Sequence, residues 1–82
     1  MDQQATIVFD AEEMGCGELV LALSRQMRPL PPDTIMELIA RDSGAIEDIP
    51  AWCRLRGYRF IAMQREGNQG PLHFWIQKTE KP

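Results

Sequence analysis

Histidine occurs once in this chain of 82 residues, as His73, and cysteine twice, as Cys16 and Cys53. No Cys-x-x-Cys pair is present, so these three residues supply neither the number nor the spacing of ligands a structural zinc site needs. No metal site and no cofactor are therefore expected. Two thiols do not make a disulfide framework. No apolar run approaches the ~20 residues that span a bilayer, so no membrane association is expected. The opening MDQQAT has neither a positive n-region nor an apolar h-region, which predicts no secretory signal and a cytoplasmic location. Positive charge is in deficit: nine Lys and Arg stand against twelve Asp and Glu, a net charge of -3. That balance argues against direct nucleic-acid binding, which needs a basic surface to displace counterions. Repeats, low-complexity segments and linkers are also missing, so residues 1–82 read as one small domain with a tail fraying from about residue 78.

What is present is patterned. TIVFD alternates, with Ile7 and Phe9 on one face, and predicts a first strand. Asp10 to Gly15 reads as a turn. Val20, Leu23 and Met27 then recur at helical spacing beside Leu19 and Leu30, and the prolines of PLPP stop that helix. TIMELIA is nearly continuous in apolar residues and predicts a central strand. Asp42 and Ser43 are candidate N-caps of a second helix whose core stripe is Ile46, Ile49 and Cys53. Pro50 inside it predicts a bend or a late start, and Gly57 a C-cap. YRFIAMQR and LHFWIQ are strands three and four, joined by the glycine-rich turn EGNQGP. Leu72, Phe74 and Ile76 would face inward, His73 and Trp75 outward.

The order β-α-β-α-β-β predicts an α+β fold. It would be a two-layer α/β sandwich with both helices on one face of a four-stranded mixed sheet and the other face open. His73 and Trp75 on that open face are candidate partner-docking residues, or a surface pair without a role.

Cys16 is the candidate reactive residue. It falls at the start of helix one, where free amide N–H groups and the helix dipole favour a thiolate. Gly15 and Gly17 are expected to allow a tight turn beside it. Glu12, Glu13 and Glu18 act in the other direction, since like charges raise a thiol pKa. The residue types alone leave open whether Cys16 reacts or fills a small N-cap-like position. Asp2, Asp10, Glu12, Glu13 and Glu18 form an acidic stretch that is either a solvated face or a lure for a basic partner. Cys53 continues an apolar stripe and reads as a small core hydrophobe.

The residues Asp10 and Cys16, six apart, together with Pro32 and the segment DIPAWC from Asp48 to Cys53, resemble the TusA/SirA-like sulfur-carrier family from about Phe9 to Ile76. The resemblance implies the same β-α-β-α-β-β sandwich. It also implies persulfide relay on Cys16, from a donor such as a cysteine desulfurase or a rhodanese-like protein to an acceptor protein, in tRNA thiolation or sulfur metabolism. The family's Cys-Pro-x-Pro motif reads Cys16-Gly17-Glu18-Leu19 here, with both prolines replaced. The alternative is an interaction or regulatory module that kept the fold without transfer chemistry.

Overall fold

A computed structural model describes residues 5–79. Strand β1 (Ile7–Asp10) leads to helix α1 (Cys16–Met27), and strand β2 (Ile35–Ala40) to helix α2 (Ala45–Arg56). Strands β3 (Arg59–Arg65) and β4 (Leu72–Gln77) follow. The sheet order is β1-β2-β4-β3, with β1 parallel to β2 and the other pairs antiparallel. This is the predicted α+β architecture, a four-stranded mixed sheet with two helices.

One face of the sheet supplies the core. Met36, Leu38 and Ala40 of β2 and Leu72, Phe74 and Ile76 of β4 are all buried, alternating with half-buried neighbours. From the helices, Leu19, Leu23 and Met27 of α1 and Ala45, Ile49, Trp52 and Cys53 of α2 complete it. The second helix differs from the expected stripe. Ile46 is 37% exposed, whereas Trp52 is 5% exposed and donates from Nε1 to Ser24 Oγ at 3.2 Å. The buried positions 45, 49, 52 and 53 follow the helical period as well as the expected set did, and the tilted stack of Trp52 on Tyr58 decides between them.

Pro50 neither delays nor divides α2, which runs through it from Ala45. Its missing N–H removes one bond, to the carbonyl of Ile46, on the exposed side of the helix where water can serve that carbonyl. Neither Asp42 nor Ser43 is the N-cap. Gly44 holds that position without a side-chain cap, and Asp42 instead shapes the approach by accepting from Gly44 N at 3.2 Å. Gly57 does close the helix, in the left-handed region at φ 81, with Tyr58 N bonded to Cys53 O at 2.9 Å. In the turn between β3 and β4, Gly70 has no alternative. A Cβ there would meet Glu66 O at 2.0 Å.

Residues 78 and 79, assigned by the sequence to a fraying tail, are anchored. Lys78 N donates to Thr34 O at 2.8 Å and Thr79 Oγ1 to Gly57 O at 2.8 Å. Lys78 Nζ donates to the carbonyls of Met27, Arg28 and Leu30 at 3.2, 2.9 and 2.6 Å. An ammonium thus fills the place of the missing next turn at the C-terminal end of α1. The rest of that tail lies outside the described residues, as does Asp2 of the acidic stretch.

Candidate functional site

The connection from β1 to α1 is built on hydrogen bonds rather than glycine freedom. Ala11, fully buried, extends the strand pairing through N–H to Ile39 O at 2.8 Å. The chain then turns at Glu12, whose φ of 56 is the left-handed conformation of this loop. Asp10 Oδ1 holds that turn by accepting from Glu12 N at 2.8 Å. Arg41, just past β2, donates to the same oxygen at 2.7 Å. Both contacts stabilise the charged carboxylate, the Arg41 hydrogen bond most, and hold Asp10 below its usual pKa.

Neither glycine beside Cys16 supplies a left-handed residue to the turn. Gly15 is extended (φ -83, ψ 179), and a Cβ at either Gly15 or Gly17 would meet nothing within 4 Å. Gly15 is the N-cap, without a side chain to bond the first turn, and Cys16 is the first helical residue. The hydrogen-bond ladder begins with Leu19 N to Gly15 O at 2.7 Å. The amides of Cys16, Gly17 and Glu18 thus precede the ladder, at the positive end of the helix dipole. That environment favours an anion at this turn, and the exposed Glu18 opposes it.

Cys53 sits in the opposite environment. It is 1% exposed, and burial pushes its thiol up to about 12, with only a weak opposing effect of Arg54. It is neutral at physiological pH and packs as a small apolar side chain.

His73 and Trp75 lie on the open face of the sheet, stacked with ring centroids 6.1 Å apart and planes 22° apart. They are only half-exposed. His73 Nδ1 is 2.6 Å from Glu37 Oε2 and its Nε2 is 3.3 Å from Glu66 Oε2. The second contact lacks hydrogen-bond geometry, which leaves His73 Nε2 and Trp75 Nε1 buried without a partner. The pair, with Gln64 and Glu66, lines a shallow cleft of about 230 Å3. In register, His73 stands opposite Ile39 and Ile39 beside Asp10. The cleft thus shares the end of the sheet from which the Cys16 loop leaves, though it lies on the open face, away from the helix layer. Among the described residues, no group of three His, Cys, Asp or Glu side chains could hold a metal ion. No helix among them is long and apolar enough to cross a membrane.

A cysteine opening the first helix after a short parallel strand, beneath a four-stranded sheet with one open face, defines a class of small thiol-bearing α/β sandwiches. The family model described as Sulfurtransferase TusA matches residues 7–78. The chain belongs to this family. It is 35% identical over 71 residues to the sulfur carrier protein TusA of Pseudomonas syringae pv. tomato, covering 87% of this chain and 82% of that one. It is 31% identical over 78 residues to the sulfur carrier protein TusA of Pseudomonas aeruginosa, covering 95% of this chain and 96% of the relative.

Proposed function

We propose that the protein is a sulfur carrier with Cys16 as its acceptor residue. The observation that carries the reading is the position of Cys16 as the first residue of α1, ahead of the hydrogen-bond ladder, in a chain of the TusA family. The chemistry is thiol exchange. The Cys16 thiolate attacks the terminal sulfur of a donor persulfide. A new S–S bond forms, the donor's S–S bond breaks, and the donor cysteine leaves as its thiolate. Delivery to an acceptor protein is the same exchange with Cys16 as the leaving group. The first-turn amides favour both anions, the attacking thiolate and the bound persulfide. The donor is a cysteine desulfurase or a rhodanese-like protein, and the acceptor a protein of tRNA thiolation or sulfur metabolism, working in the cytoplasm.

Intact-mass measurement after incubation with a cysteine desulfurase, cysteine and pyridoxal phosphate tests this. The mass should rise by one sulfur, a reductant should reverse the change, and Cys16→Ser should abolish it. Inorganic polysulfide provides a second route to the same persulfide without a protein donor. Failure of Cys16 to load by either route would leave the non-catalytic interaction module as the better description.

A further inference from the structure

The outer surface between α1 and α2 holds a groove of about 560 Å3 that begins at Gly17, next to Cys16. Val20, Leu21 and Ser24 line it together with Arg25, Arg28 and Arg56. Leu21 is 54% exposed there. Positions 17, 21, 24, 25 and 28 recur at helical spacing, so one stripe of α1 runs from the residue after Cys16 to the helix end. At ~1.5 Å per residue that stripe is roughly 16 Å long.

Arg25, Arg28 and Arg56 meet no carboxylate among the described residues. In a chain with a net charge of -3, three unpaired guanidinium groups around one groove are a local inversion of sign. All three sit at helix C-terminal ends, where their charge complements the dipole; at α1 the carbonyls of Met27, Arg28 and Leu30 are taken by Lys78 Nζ, so the Arg25 and Arg28 donors remain for a ligand. The exposed Leu21 beside the arginines disfavours a nucleic-acid backbone as occupant, since phosphates make no use of an apolar side chain. The length and shape suit a segment of polypeptide laid along the helices.

We propose that this groove docks an acidic segment of the protein that exchanges sulfur with Cys16, with an apolar side chain over Leu21 and carboxylates on Arg25, Arg28 and Arg56. The proposal rests on the carrier reading and adds the surface and the partner's chemistry. Arginine forks suit paired carboxylates, and charge complementarity of this kind raises the association rate and fixes register.

The test is a titration of the isotope-labelled protein with a synthetic peptide carrying leucines and glutamates at helical spacing, followed by amide chemical shifts. Its glutamine analogue and an oligouridylate of equal charge serve as comparisons. The glutamate peptide should shift Leu21, Ser24, Arg25, Arg28 and Arg56, and added salt should weaken it. The triple variant Arg25→Gln, Arg28→Gln, Arg56→Gln should bind about 10-fold more weakly with its spectrum still dispersed. Arg56→Glu should be rescued by a lysine at the matching position of the peptide. Shifts elsewhere, no shifts, or equal binding of the glutamine analogue would overturn the proposal. So would equal binding of the oligouridylate, which would make the groove a general polyanion surface. Polysulfide loading of Cys16 should be unchanged in the triple variant. Its absence in the parent chain would overturn the carrier reading, while the peptide titration still reports on the groove.

Discussion

The two cysteines differ by position in ways that set their chemistry. Cys16 opens a helix, ahead of its hydrogen-bond ladder, whereas Cys53 is buried with its thiol pushed up to about 12. Native alkylation with iodoacetamide should therefore modify Cys16 at least ~100-fold faster than Cys53, because the thiolate is the nucleophile. Peptide mapping over time measures both rates, and comparable rates would remove the distinction. Asp10 makes a second test at this scale. Its carboxyl titrates below the ordinary 3.8, chiefly because Arg41 donates to it. A group with a lowered folded pKa stabilises above its unfolded value, and that contribution fades as pH falls through the folded pKa. Carboxyl chemical shifts should place the Asp10 midpoint below 3.8 in the parent chain and higher in Arg41→Gln. The sequence marked Asp10 as a motif position, but its partner Arg41 lies 31 residues away and is brought to it only by the pairing of β1 with β2.

At the scale of elements, the first turn of α1 explains which motif proline could be restored. Gly17 has open space where a side chain would go, and its amide precedes the ladder. Gly17→Pro should fold with stability within ~1 kcal/mol of the parent, since proline suits a first helical turn. Leu19→Pro is a different change. Leu19 is 1% exposed, and its N–H makes the first ladder bond at 2.7 Å. Losing the packing and that bond together should cost about 3 kcal/mol or more, read from denaturant melts. Equal stability of the two variants would contradict this account. Most element boundaries were legible because alternation in β4 and the apolar run of β2 have one interpretation each. The stripe of α2 was not, because Ile46 and Trp52 both satisfy a helical period, and what selects Trp52 is tertiary: the Tyr58 ring it stacks on and the Ser24 hydroxyl on the neighbouring helix. The residue that makes the turn before α1 was hidden for a related reason. The left-handed residue of the loop is Glu12, held by the Asp10 carboxylate, and no composition rule marks it.

Across the whole molecule, Lys78 ties the end of β4 to the end of α1. Lys78→Met keeps much of the aliphatic stem and removes three donated hydrogen bonds. A loss of about 2 kcal/mol is expected, as for hydrogen bonds from a charged group. In a domain of this size that corresponds to a fall in Tm of roughly 10 °C. An unchanged Tm would assign Lys78 to surface decoration. The sequence could not show this contact, because a lysine followed by TEKP has the composition of a frayed tail. The open face was legible as a set of residues, yet the contacts of His73 with Glu37 and Glu66 require the strand register.

The strand order has a consequence for how the molecule comes into being. The last strand in the chain, β4, lies between β2 and β3, so the sheet is filled from its middle at the end. Without β4, the strands through β3 are two separated parts of a sheet. One is the parallel pair of β1 and β2, and the other a lone β3, with the place between them unfilled. Antiparallel hydrogen bonding on both sides of β4 then forms together, in one late step that joins residues far apart in sequence. Until β4 takes its place, β2 and β3 share no hydrogen bond, so a chain cut before Leu72 cannot close this sheet.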